Sequence, residues 1–389
     1  MKLSVCIITK NEKENLIKCV KTLLMYPFEV VVVDTGSTDG TVEELRQLEE
    51  MLKQEGKCGF CEQTILLTDF FEWCDDFSAA RNYAISKARH EFVLIIDSDE
   101  FLQPFDVEKL EKIVMQYPDK VGRIKICNSM DKKSRENVEW VSRLFSRKKF
   151  HYTGRIHEQV EAFDKTAYET YGLPISVEHV GYDLSQEEKR KKAIRNEKLL
   201  LVELREAGYD IELEPEKAVV NMKEKEIPYL LYQLGKSYYM EGNYIDACDF
   251  FARGLFFDLD PRLEYVVDMV ESYGYALINT GRANEAIFIE TLKKEFGNEA
   301  DFWIMLGHVY MNNERFEEAI DAFLHATHFR RYRMVGANSF LAYYNAGVVL
   351  ECMGNRKQAE EYYEKCGNYK PAKERLKMKR RDVEDKGCI

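Results

Sequence analysis

Asp97 and Asp99 stand two residues apart, directly after the apolar run Phe92–Ile96. On an extended backbone residues i and i+2 point to one side, so the two carboxylates can converge while Ser98 turns away. Carboxylates held side by side repel unless a cation lies near them. Hard oxygen donors suit Mg²⁺ or Mn²⁺, ions that also bind substrate phosphates. The pattern therefore points to a metal–diphosphate site. Two further apolar runs end in polar residues: Leu3–Thr9 leads into Lys10-Asn11-Glu12, and Glu29–Val33 leads into Asp34-Thr35-Gly36-Ser37.

Such a site needs strands whose ends line up. The three apolar runs read as buried strands. Glu14–Leu24 repeats apolar residues at helical spacing (Leu16, Val20, Leu23, Leu24), and Ser37, Thr38 and Asp39 are capping-type residues ahead of another helix. All-apolar strands alternating with helices predict a mostly parallel sheet covered on both faces, an open α/β layer. Ligands on such sheets sit at the carboxyl ends of the strands, where these polar residues fall. Asp34 and Asp39 have a second reading, as caps of the helix that follows. Cys58-Gly59-Phe60-Cys61 has the spacing of half a zinc site, but no second pair accompanies it, and its Lys/Gly/Glu loop does not suit a redox dithiol.

From about Tyr229 the sequence is helical, aromatic and self-similar. Gly235, Gly242 and Ala247 recur as Gly274, Gly281, Ala286; as Gly307, Glu314, Ala319; and as Gly347, Gly354, Ala359, beginning 39, 33 and 40 residues apart. This is the helix–turn–helix spacing of tetratricopeptide repeats, in which small residues sit where paired helices approach. The expected organisation is a catalytic α/β domain over residues 1–182, a helical linker over 183–226 and about four helix pairs over 227–389.

Apolar residues are 45% and charged residues 32% of 389, the balance of a soluble globular protein. The formal charge of −12 argues against nonspecific nucleic-acid or anionic-membrane binding. No apolar run approaches the ~18–20 residues that span a bilayer. The first apolar run meets Lys10-Asn11-Glu12 too early for a secretory leader, and the ten cysteines form no secreted-type framework. A cytoplasmic protein with reduced thiols is expected.

Four stretches together resemble the family 2 glycosyltransferases of GT-A fold. They are Thr9-Lys10-Asn11-Glu12, Val33-Asp34-Thr35-Gly36-Ser37-Thr38-Asp39-Gly40-Thr41, Asp76-Phe77-Ser78-Ala79-Ala80-Arg81-Asn82 and Asp97-Ser98-Asp99. Gly154-Arg155-Ile156-His157-Glu158 and His179-Val180-Gly181-Tyr182 are similar to elements of the subgroup in which tetratricopeptide repeats follow the catalytic domain. That subgroup includes peptide S-glycosyltransferases of the sublancin type and lipopolysaccharide-core glucosyltransferases. The resemblance implies an inverting, metal-dependent transfer of a hexose from a nucleoside-diphosphate sugar, with a UDP-sugar as the expected donor, to a peptide, protein or saccharide. It implies that Thr9, Glu12 and Asp34 line the nucleoside pocket, with Asp76 and Ser98 also on the donor. Asp97 would reach ribose or metal, Asp99 would be the principal ligand of Mg²⁺ or Mn²⁺, and His179 would complete the metal shell or meet the diphosphate. Arg81 would meet the diphosphate, since a guanidinium suits phosphate oxygens, or else pair at the surface with Asp75 or Asp76. Glu158 is the candidate base for the acceptor proton. The repeats would bind acceptor or form a homodimer. Two other readings remain: a tetratricopeptide scaffold whose α/β half is inactive, and a nucleotidyltransferase, which would need a glycine-rich basic loop where Asn11-Glu12 stands.

Overall fold

The structure, a computed structural model, describes residues 2–54, 65–130, 135–179, 186–214, 217 and 227–384. Cys58 and Cys61 lie outside the described residues, as do Val180, Gly181 and Tyr182. The chain divides into two compact units, Met1–Ser185 and Gln186–Ile389.

In the first unit the three apolar runs are strands β1 (Leu3–Thr9), β2 (Glu29–Asp34) and β4 (Phe92–Ile95), with β3 (Ile65–Phe70) beside β2. Helices α1 (Lys13–Leu23), α2 (Thr41–Gln54) and α3 (Phe77–Lys87) alternate with them. These four strands are mutually parallel in the order β3-β2-β1-β4, with Thr9, Asp34 and Phe70 in register at one edge. The chain walks outward through β1, β2 and β3 and then returns to the other side of β1. That reversal is the topological switch where open α/β sheets leave a crevice.

Both sheet faces are covered, which is why the strands are apolar throughout. Val5, Ile7, Val30, Val32 and Leu94 pack with Leu16, Val20 and Leu23 of α1. On the other face Cys6, Val31, Val33 and Ile95 pack with Ala84 and Ile85 of α3. Beyond β4 the eight-stranded sheet becomes mixed, through β7 (Arg135–Ser146), β6 (Val121–Met130), β10 (Thr170–His179) and β5 (Glu100–Leu102). A separate ribbon pairs β8 (Phe150–Thr153) with β9 (Gln159–Ala162), and α4 (Val107–Gln116) completes the unit.

The second unit opens with the helix Gln186–Glu206, which packs beside Ile227–Glu241 and receives a hydrogen bond from Tyr238 Oη on Glu197 (2.9 Å). Helix pairs follow, Ile227–Glu241 with Tyr244–Leu255, Ala300–Asn312 with Phe316–Ala326 and Phe340–Cys352 with Arg356–Lys365. In these three pairs the recurring glycine faces the aromatic ring sixteen residues on. A Cβ at Gly235, Gly307 or Gly347 would fall 2.6, 2.5 or 2.7 Å from Phe251, Phe323 or Tyr363. The pair beginning with Glu264–Asn279 carries Glu290 at the aromatic position, and its second helix tightens to a 3₁₀ form over Glu285–Leu292. There Gly274 meets Met305 and Ile289 instead. At the turns Gly242, Gly281 and Gly354 are left-handed, and Glu314 takes the same conformation (φ +60°) although it is not glycine.

Gly307→Ala tests this packing. Phe323 is fully buried and has no free direction to retreat, so the overpacked variant should lose about 1–3 kcal/mol in denaturant unfolding. No helix among the described residues is long and apolar enough to cross a membrane.

Candidate functional site

Asp97 to Glu100 form a turn directly after β4, closed by Glu100 N–H donating to the Asp97 carbonyl (3.1 Å). The Asp97 carboxylate is held from both sides. Arg81 Nη2 donates to Oδ1 (2.7 Å) and Arg143 Nη2 to Oδ2 (2.6 Å). Arg81 comes from α3 and Arg143 from β7, the antiparallel neighbour of β4. Arg143 also donates to Glu100 Oε1 (3.1 Å), while Glu100 Oε2 accepts the Asp97 N–H (2.9 Å). The turn is thus tied into a ring through Arg143. Arg81 Nε pairs with Glu158, at the foot of β9. Each arginine therefore bridges Asp97 to a second carboxylate.

The arginine side chains are 8% and 9% exposed and that of Asp97 is 31% exposed, so Asp97 is the open member of the group. Burial would push the Asp97 carboxyl up, but Arg143 and Arg81 beside it hold it well below the usual carboxylate range. Glu100, buried more completely, goes the other way. Burial pushes it up to about 7 against the pull of Arg143. Arg81 Nη1 and Arg143 Nε are buried and find no partner among the described residues.

Asp99 makes its contact outside this ring, with His179. The antiparallel pairing of β5 and β10 sets His179 opposite Glu100 and brings its Nε2 to 3.1 Å from Asp99 Oδ2. Burial disfavours the charged imidazole, but the bond to Asp99 and the charges of Asp99, Glu100 and Asp97 outweigh it and raise the His179 pKa. Among the described residues no three His, Cys, Asp or Glu side chains converge as a ready metal shell. Ser98 is buried within the turn.

Across the switch point, Asp34 Oδ2 accepts the N–H groups of Gly36 (2.9 Å) and Ser37 (3.1 Å), which shapes the loop after β2. Thr35 N–H donates to the Thr9 carbonyl (2.9 Å), and the buried Thr9 hydroxyl has no partner among the described residues. Glu12, just ahead of α1, accepts from Asn15 Nδ2 (3.0 Å). Asp39 serves the entrance of α2, accepting from Thr41 N–H (3.0 Å) and Lys13 N–H (3.2 Å), which is the capping reading of that residue. Asp76 caps α3 by accepting from Ala79 N–H (2.8 Å). The structure thus joins Asp97, Arg81 and Glu158 in one chain of contacts and Asp99 with His179 in another. Thr9 and Asp34 lie at the neighbouring strand ends.

Surface pairing of Arg81 with Asp75 or Asp76 does not occur, because Arg81 is buried on Asp97 and Glu158. Arg143 and Glu100 were not singled out by sequence. Their signal is a charged residue inside an apolar strand, Val141-Ser142-Arg143-Leu144-Phe145, and an acid heading the short apolar segment Glu100–Leu102. Arg143→Lys would keep the charge but lose the fork that spans Asp97 and Glu100. One charge-assisted hydrogen bond is then lost, and denaturant unfolding should register about 1.5–3 kcal/mol.

Comparison with known proteins bears on the two parts of the chain separately. Residues 4–170 match Glycosyl transferase family 2, and residues 231–253, 300–328 and 341–373 match tetratricopeptide repeats. The SPbeta prophage-derived glycosyltransferase SunS of Bacillus subtilis is 26% identical over 258 residues, 62% of this chain and 56% of SunS. The chain thus spans just over half the length of that relative. A TPR repeat-containing protein of Synechococcus elongatus is 36% identical over 99 residues, 25% of this chain and 21% of its own. The crystal structure of S. aureus TarS 1-349 is 14% identical with a TM-score of 0.35, covering 84% of this chain and 90% of TarS 1-349, a likeness too slight to argue from. Residues 4–170 are thus similar to the family 2 glycosyltransferases, and the helix pairs that follow are similar to tetratricopeptide repeats.

Proposed function

We propose that the protein transfers a hexose from a nucleoside-diphosphate sugar, a UDP-sugar in the simplest case, to a peptide, protein or saccharide, with inversion at the anomeric carbon. The observation that carries this reading is that the Asp97–Arg81–Glu158 chain and the Asp99–His179 pair issue from one turn after β4, beside the β1/β4 switch. The family match over residues 4–170 supports the reaction class.

One carboxylate and one imidazole 3.1 Å apart fit a divalent ion that takes its remaining ligands from water and substrate phosphates. Asp99 and His179 would hold Mg²⁺ or Mn²⁺, with Asp97 beside them, and the ion would offset the charge gathering on the departing diphosphate. Thr9, Glu12 and Asp34 would receive the nucleoside. Asp76 and Ser98 would support the donor pocket from the α3 cap and the turn. Arg81 links the two sides of the reaction, with Nη2 on Asp97 and Nε on Glu158. It would meet the diphosphate by exchanging its bond to Asp97 for one to a phosphate oxygen.

On the acceptor side Glu158 would take the proton from the attacking group. The new bond to the anomeric carbon forms as the bond to the phosphate oxygen breaks, and the nucleoside diphosphate leaves from the opposite face. The repeats would present the acceptor or pair two copies of the chain. The described cysteines are free thiols, in keeping with a reducing cytoplasm. Calorimetric titration with UDP and Mn²⁺, followed by mass spectrometry of a nucleotide-sugar panel, tests the proposal. Binding and release of nucleoside diphosphate are expected; absence of both would leave the reading without support and favour a scaffold.

A further inference from the structure

Glu158 closes the turn between β8 and β9, a ribbon of two strands that stands apart from the eight-stranded sheet. Two strands alone are marginally stable, so the place of Glu158 depends on what the ribbon is tied to. Tyr152 stands opposite Val160 in it. Peptide groups along an antiparallel pair point alternately toward the partner strand and away from it. Those of Tyr152 meet a side chain of α3. Its N–H donates to Asn82 Oδ1 (2.9 Å), and its carbonyl accepts from Asn82 Nδ2 (2.8 Å). One amide thus stands where a third strand would. At the start of α3, Phe77 N–H donates to the carbonyl of Arg155 (2.8 Å), in the turn that leads to Glu158. The Tyr152 ring is buried edge-on against Phe145 (5.6 Å, 68°), with the Arg81 guanidinium 5.6 Å from its centroid.

We propose that Asn82 is a positioning residue, the clamp that joins the ribbon to α3 and so fixes Glu158 relative to Arg81. This rests on the reading of Glu158 as the base of a nucleotide-sugar site. Arg81 and Glu158 lie 77 residues apart and meet through one ion pair. That pair is a poor gauge of where the base stands, because Arg81 is the group that changes partners when a diphosphate arrives. The bonds of Asn82 run to main-chain atoms, and no step of the transfer asks them to break. Asn82 also follows Arg81 directly on α3, so any shift of that helix carries the arginine and the ribbon together. With Oδ1 and Nδ2 both engaged, Asn82 acts through the ribbon rather than on substrate. A reacting group displaced by about 1 Å can cost about 10²-fold in rate. Nucleotide binding, by contrast, draws on Thr9, Asp34 and the turn after β4.

A double-mutant cycle tests the clamp. Release of UDP from a panel of UDP-hexoses, with water as acceptor, is measured for wild type, Asn82→Ala, Glu158→Gln and the double variant. Calorimetric titration with UDP and Mn²⁺ runs in parallel. Asn82→Ala should keep UDP affinity within about threefold and lower kcat by about 10- to 10²-fold. In the Glu158→Gln background the same change should lower kcat by less than about threefold, since no base is left to misplace. A structural loss unconnected with the base would lower kcat equally in both backgrounds. Equal losses, a kcat for Asn82→Ala within threefold of wild type, or a weakening of UDP binding beyond threefold would each overturn the proposal. Should Asn82→Ala fail to fold, Asn82→Asp runs the same cycle with the same losses expected. It has the same shape and keeps the bond from Tyr152 N–H, but sets an oxygen against the Tyr152 carbonyl. A wild-type chain that binds none of UDP, GDP, CDP or ADP would instead remove the donor reading on which the proposal rests.

Discussion

Asp99→Ala is expected to cut release of nucleoside diphosphate from a donor sugar by about 10³-fold while leaving the fold intact. The side chain is 24% exposed and its hydrogen-bond partner is His179, so its loss leaves no cation stranded in the core. The strand that precedes it, Phe92–Ile95, keeps every apolar contact. Steady-state release of UDP, with circular dichroism as the control on folding, checks the expectation. Activity within tenfold of wild type would take Asp99 out of the donor site. Asp97→Ala is a poorer test of the same chemistry. It would take the shared carboxylate from between Arg81 and Arg143, both buried, leaving each with its second partner alone, and breaking buried pairs costs about 3–5 kcal/mol. Lost activity there would report lost structure.

The contrast between these two aspartates marks how far sequence reaches. Both were legible because the buried run before them is continuous, but the extended backbone that would turn the two carboxylates to one side ends at Ile95, and the turn after it sends Asp97 to the arginines and Asp99 to His179. Their division of labour was not legible, because it depends on Arg143, which arrives from a strand 46 residues away. Arg81 shows the same limit. Local reasoning offered it Asp75 and Asp76, whereas its partners lie 16 and 77 residues along the chain. The parallel half of the sheet follows from apolar runs and helical periodicity. The mixed half, β7-β6-β10-β5, is set by long-range pairing, and that pairing brings His179 to Asp99. In the repeats the glycine spacing located the helix pairs, and Glu314 broke the glycine pattern without breaking the turn. The 3₁₀ form of Glu285–Leu292 was hidden, since its signal is Glu290 at a position where the other copies carry Phe251, Phe323 and Tyr363.

Glu158→Gln separates proton removal from everything else the residue does. The carboxylate is 11% exposed and pairs with Arg81 Nε, so truncation would disturb Arg81 and through it Asp97. Glutamine has the same shape, and its amide oxygen can go on accepting the Nε hydrogen bond, but it cannot take a proton at neutral pH. Nucleotide affinity should therefore stay within about twofold, and kcat should fall by about 10²-fold or more. A simultaneous loss of UDP affinity would show that the charge on Glu158 serves to place Arg81. A wild-type rate would send the base elsewhere. Glu178 is the nearby described alternative, but it precedes His179 on β10, and alternation along the strand turns it to the opposite face of the sheet. Glu158 is tied to Asp97 through its contact with Arg81, and the glutamine variant tests it without dismantling the contact.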